Sequence, residues 1–156
     1  MVEIKTIAVP IDFSEVAPIV AGWAKDIAKK LSAKLILINV VEDISAFEGI
    51  STDVKTLQEL EKTLLEGAEE YMRSFLNKYF SDFANVKSVI VKGKVVEKII
   101  QIAKENKADL IVIGTHGRKS LDKIIFGSVA EGIVKYSPIP VLTINPYRIK
   151  KNKLFF

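Results

Sequence analysis

Residues 35–41, Leu-Ile-Leu-Ile-Asn-Val-Val, are apolar at nearly every position. A strand with one wet face alternates polar with apolar residues, whereas a parallel strand covered on both faces does not. This run therefore calls for a parallel sheet sandwiched between helices, and the rest of the chain supplies the parts. A first strand is expected from Ile4 to Val9, ending at Pro10. The segment Ile11-Asp12-Phe13-Ser14 reads as a turn with Ser14 as a helix cap. Val16, Val20, Trp23, Ala24, Ile27, Ala28 and Leu31 recur at helical spacing, which predicts an amphipathic helix over about 15–31, with Pro18 tolerated in its first turn. Trp23 lies on the apolar face and reads as core, not as a base-stacking platform.

The alternation continues to the end of the chain. Residues 42–56 show no period and read as a loop, either a lid or a surface excursion. Leu57, Leu60, Leu64, Ala68, Tyr71, Phe75 and Tyr79 mark a long helix with its aromatics in the core, and Glu61, Glu66, Glu69 and Glu70 with Lys62 read as its solvated face. A third strand is expected from Val86 to Val91, a third helix through Val96, Ile99, Ile100 and Ala103 to near Asn106, and a fourth strand from Leu110 to Ile113. A fourth helix runs from Gly127 to Tyr136, stopped by Ser137-Pro138, and a fifth strand from Val141 to Ile144 is closed by Pro146. Five strands alternating with helices predict an α/β fold with an open parallel sheet and helices on both faces.

Function is written at two strand ends. Ile113 leads into Gly114-Thr115-His116-Gly117, and nine residues later Gly127-Ser128 opens a helix. Glycine lets the backbone approach a ligand closely, and the first N–H groups of a helix point at negative charge without partners of their own. This pattern reads as a cradle for a phosphorylated ligand, although a tight turn with close helix packing is the bland alternative. Arg118 and Lys119 stand inside the cradle, either as phosphate contacts or as solvated charges. The first strand ends in Pro10 and Asp12, where Asp12 is either a turn residue or a partner for sugar hydroxyls or a metal-bound water. Ligands of open α/β sheets sit where the strand order reverses. One ligand touching both ends makes strands one and four neighbours, which favours the order 3-2-1-4-5. The short apolar fifth strand is then an edge that invites a second copy.

Composition narrows the classes. The 156 residues suit one domain over 1–146, followed by a tail over 147–156. Net charge is +4, but Arg148, Lys150, Lys151 and Lys153 lie in a tail without acids, and 19 basic residues face 19 acidic ones elsewhere. A nucleic-acid binder carries its excess on a folded face, so no nucleic acid is expected as a partner. Without cysteine there is no disulfide or thiolate site, which suits a cytoplasmic location. No apolar run approaches a membrane span, and Met1-Val2-Glu3-Ile4-Lys5 goes straight into a strand pattern, so no signal peptide is expected. The P-loop pattern Gly-x-x-x-x-Gly-Lys-[Ser/Thr] is absent, as is Gly-x-Gly-x-x-Gly after the first strand. His116 is the single histidine, and no orienting carboxylate accompanies it in sequence, so it reads as a backbone contact and not as a general base.

Gly114-x-x-Gly117, nine residues, Gly127-Ser128 resembles the nucleotide-binding signature of the universal stress protein family. The surrounding text resembles it as well: Asp109-Leu110-Ile111-Val112-Ile113 before the glycines, Val9-Pro10-Ile11-Asp12-Phe13-Ser14 near the start and Pro138-Ile139-Pro140-Val141-Leu142 near the end. The resemblance spans about residues 4–146. It implies a Rossmann-like fold of the adenine nucleotide α-hydrolase type, a homodimer paired through Val141–Ile144, and bound ATP with Mg²⁺. It implies that Val40 offers backbone groups to the adenine edge and that Pro10 and Asp12 lie by the base and ribose. It further implies that Gly114, Thr115, His116, Gly117, Arg118 and Lys119 wrap the ribose and phosphates, and that Gly127, Ser128 and Val129 close on the phosphates. Gly93 is a looser candidate. The implied function is a nucleotide-dependent regulatory or protective module in stress response with an unknown protein partner. Two alternatives stand beside it: a slow ATPase or nucleotidyl-transfer enzyme using Asp12 and His116, and a dimeric scaffold that binds no nucleotide.

Overall fold

The five apolar runs pair side by side, all parallel, in the order β3-β2-β1-β4-β5. The computed structural model describes residues 1–46, 53–116 and 126–149. Its elements in chain order are β1 (Thr6–Pro10), α1 (Ala17–Leu31), β2 (Lys34–Glu42), α2 (Val54–Tyr79), β3 (Val86–Gly93), α3 (Val95–Glu105), β4 (Leu110–Gly114), α4 (Ser128–Tyr136) and β5 (Val141–Ile144). A single 3₁₀ turn, Ile44–Ala46, follows β2.

Alternation along the strands divides the core into two layers. Ile7, Val9, Leu35, Leu37 and Val112 face α1 and α2. Ala8, Ile36, Ile38, Ile111 and Ile113 face α3 and α4. This double burial is why the second strand shows no polar period. β1→β2→β3 winds to one side and β4→β5 to the other, so the order reverses between β1 and β4, and their carboxyl ends lie side by side.

Four local expectations need correction. Ser14 does not cap α1; Val16 occupies that position without a side-chain bond. The backbone turns once more before the helix, with Ala17 N–H donating to Ser14 O at 3.1 Å, and Ser14 Oγ is left buried without a hydrogen bond. The apolar stripe of α2 is core only in its second half: Ala68, Met72 and Phe75 are buried, whereas Leu60, Leu64 and Tyr71 are exposed. Spacing reports a helix's apolar face but not what lies opposite it. Glu61 is not part of a solvated face, since its carboxylate accepts from Lys92 Nζ at 2.9 Å with only 20% of its side chain exposed. The expected loop also shrinks, because β2 runs to Glu42 and α2 starts at Val54.

Trp23 packs against the α1/α2 layer while remaining half-buried. It lines, with Ile27, Leu142, Ile144, Arg148 and Ile149, a groove of about 450 Å³ beside the outer strand β5. Ile149 itself packs against the core.

Candidate functional site

At the carboxyl end of β1 the ladder to β2 runs through Pro10, paired with Ile38. It ends with the Ile11 N–H donating to Ile38 O at 2.8 Å. The chain then leaves the sheet. The Asp12 carboxylate accepts from the Ser14 N–H at 3.0 Å, the side-chain-closed turn that Asp favours. Asp12 is exposed. Phe13 between them has φ 58°, a conformation that costs a bulky residue energy and persists only where the surroundings impose it. Its ring is stacked on Tyr71 at 5.7 Å and meets Phe75 edge-on at 6.3 Å.

Beside this turn, β2 continues past the end of β1. Ile38 gives its carbonyl to the β1 side, and backbone direction alternates along a strand, so the Val40 N–H and C=O also point to that side, beyond the place where β1 has stopped. Further out, Lys92 Nζ lies 2.9 Å from Glu61 Oε1 and 3.9 Å from Asp43 Oδ1. The hydrogen bond to Glu61 raises the Lys92 pKa. Hydrogen bonds from Ser45 hold the Asp43 carboxyl below its ordinary value.

At the carboxyl end of β4 the backbone itself makes the connections. The Thr115 N–H donates to Ile144 O at 2.8 Å, and the Gly127 N–H donates to Thr115 O at 2.6 Å. The second bond ties the entry of α4 directly to the end of β4. Gly127 takes the N-cap position with extended backbone, and Ser128 and Val129 form the first turn of α4. Thr115 is buried, its Oγ1 2.7 Å from His116 Nδ1, and the His116 ring meets Tyr147 edge-on at 5.5 Å.

The glycines of this region carry packing roles that sequence alone does not reveal. A Cβ on Gly114 would lie 2.9 Å from Val20 Cγ2 on α1 and 3.2 Å from the His116 carbonyl oxygen. A Cβ on Gly127 would lie 3.3 Å from Thr115 O. Gly93 has φ +148°, a conformation that favours glycine, and a Cβ there would meet the flexible Lys98 side chain at 2.8 Å.

The fold thus brings Pro10, Asp12, Val40, Gly114, Thr115, His116, Gly127, Ser128 and Val129 to one edge of the sheet. Gly117, Arg118 and Lys119 lie outside the described residues. Among the described residues no three His, Cys, Asp or Glu side chains gather as a metal site, and no helix is long and apolar enough to cross a membrane. Sequence reading missed Asn39, whose Nδ2 donates to Ile11 O at 2.7 Å. Its signal was present, since it is the one polar residue in the run 35–41. It also missed Tyr71 and Tyr147, which nothing in their local sequence connects to the two strand ends.

The chain as a whole resembles known proteins. The pattern of the universal stress protein family matches residues 3–145. Universal stress protein MJ0577 of Methanocaldococcus jannaschii is 30% identical over 152 residues, covering 90% of this chain and 94% of the relative. The solved structure of hypothetical protein MJ0577 superposes with a TM-score of 0.81 at 32% identity, covering 97% of this chain and 99% of that one. Universal stress protein UspA from Lactobacillus plantarum gives a TM-score of 0.79 at 30% identity, covering 92% and 99%. A universal stress protein solved in complex with cAMP shares the fold, with a TM-score of 0.59 at 23% identity, covering 92% and 98%.

Proposed function

Because the chain belongs to the universal stress protein family, we propose that it binds an adenine nucleotide, ATP with Mg²⁺, and serves as a cytoplasmic nucleotide-dependent regulatory or protective module. The observation that carries this reading is the bond from the Gly127 N–H to Thr115 O. It seats the start of α4 at the end of β4, the neighbour of β1 where the strand order reverses. A helix N-terminus there offers amides to phosphates, and a ligand at the reversal point has room to reach both strand ends. The solved relative with cAMP is in keeping with an adenine ligand on this fold.

The residues fit this ligand in distinct ways. Val40 presents backbone groups where an adenine edge would lie, and Pro10 flanks the base. Asp12 accepts from ribose hydroxyls or from a water on Mg²⁺. Thr115 and His116 line the ribose and phosphates. The amides of Ser128 and Val129 meet the phosphates, joined by Gly117, Arg118 and Lys119 from the connecting segment. Mg²⁺ bound with the nucleotide would keep most of its waters and take phosphate oxygens as ligands, with Asp12 as the carboxylate that would hold one of those waters. When bound, the ion neutralises phosphate charge. Two copies pair through the outer strand β5, where Leu142 is exposed and the groove beside Trp23 offers apolar surface.

Calorimetric titration with Mg·ATP tests the reading. Submillimolar binding that is lost in Gly117→Val supports it. A wild-type chain that gives no heat and carries no nucleotide when purified overturns it and leaves the scaffold alternative.

A further inference from the structure

We propose that Asn39 is a positioning residue for this site: its buried amide holds the Ile11 carbonyl and so fixes the turn that presents Asp12 to the sugar of the nucleotide. The inference rests on the nucleotide reading above. Leu35 and Leu37 supply the α1/α2 layer of the core, and alternation assigns the next place in that layer to residue 39. An aliphatic side chain is expected there, but Asn39 occupies it at 8% exposure. Burying an amide is costly unless it is bonded, and this one is bonded at 2.7 Å to Ile11 O.

The bonded atom gives the residue its meaning. Ile11 N–H donates to Ile38 O, and a regular parallel ladder would next take the Ile11 carbonyl onto the Val40 N–H. The Asn39 side chain takes it instead. β1 is thereby halted one peptide after its last regular pair, and the Val40 N–H is left pointing into the site. The chain turns at Asp12 immediately beyond the held carbonyl. Phe13 stands at φ 58° with its ring stacked on Tyr71. A bulky residue in that conformation shows that the turn is imposed from outside, and the Asn39 amide is the hydrogen bond that anchors its first peptide.

The test compares ATP with 2′,3′-dideoxy-ATP on the full chain, with Asn39→Leu keeping the branched shape without the donor. The wild type binds ATP more tightly than the dideoxy analogue. Asn39→Leu is expected to weaken ATP about tenfold, the order of one hydrogen bond to a charged group, and the analogue much less, so that the preference collapses. Asn39→Asp, of nearly the same size, replaces the donor with an acceptor and gives the same collapse; it serves where the leucine variant does not fold. A preference kept intact in a folded variant, with only its melting temperature lowered, means that Asn39 is structural and overturns this inference alone. A wild type that binds neither nucleotide overturns the nucleotide reading together with it.

Discussion

The carboxyl ends of β1 and β4 are held by different means. At the end of β1, side chains do the holding: Asn39 on the Ile11 carbonyl, Asp12 on the Ser14 amide and Tyr71 under Phe13. At the end of β4, backbone holds backbone, from Thr115 to Ile144 O and from Gly127 to Thr115 O. The first end can therefore be altered by changing single side chains. The second resists changes of side-chain chemistry but not the addition of a Cβ, because its glycines sit against neighbouring atoms. In the proposed nucleotide complex the backbone-held end would meet the phosphates and the side-chain-held end the base and sugar.

The largest expected effect breaks the backbone-held end. Gly114→Val places its Cβ 2.9 Å from Val20 Cγ2, and overpacking of this kind costs about 1–3 kcal/mol. Chemical denaturation should show that loss, and Val20→Ala in the same chain should recover part of it, since contacting residues couple. No coupling between the two would mean that Gly114 is not packed on α1. A smaller effect sharpens the other end. Phe13→Ala loses the aromatic stack and keeps a left-handed residue, whereas Phe13→Gly loses the same stack and tolerates φ 58°. The glycine variant should be the more stable of the two by about 0.5–1 kcal/mol, the reverse of the usual order, and equal stability would show that the turn relaxes.

The smallest effect is a control remote from both ends. Hydrogen bonds from Lys29 and Lys25 hold the Asp82 carboxyl well below its ordinary 3.8. A lowered folded-state pKa adds stability above the unfolded value that disappears as pH falls through the folded one. The melting temperature of wild type should therefore exceed that of Asp82→Asn slightly at pH 7, and the gap should narrow below pH 3.8. Asp82 is half exposed, so the gap is modest, and ATP affinity should be the same in both proteins. A change in affinity would break the division between scaffold and site.

The sheet was legible because double burial leaves so plain a trace. The expected fifth strand, Val141–Ile144, coincides with β5, and the strand order followed from asking which two ends could share one ligand. Ser14 misled because Ser before an apolar helix is a common cap, while here an extra turn, closed by the Ala17 N–H on Ser14 O, separates it from the helix. Leu60 and Leu64 misled because a helical period continues whether or not a partner surface does. Asn39 was visible as a letter but not as a role, since its partner lies 28 residues away. Gly114 and Gly127 were noticed for their closeness to a ligand, whereas the structure also gives each a neighbour that a Cβ would crowd.

The amides at the start of α4 are best tested at Ser128, its first residue. Proline is well suited to that position, and the extended Gly127 before it, φ −67° and ψ 157°, is compatible with a following proline. Ser128→Pro therefore keeps the helix and removes one amide, while Ser128→Ala removes only the hydroxyl. Titrated with Mg·ATP, Ser128→Ala should bind within a fewfold of wild type and Ser128→Pro about tenfold more weakly, the scale of one charge-assisted hydrogen bond. Equal affinity in the proline and alanine variants would contradict phosphate capture by the helix N-terminus.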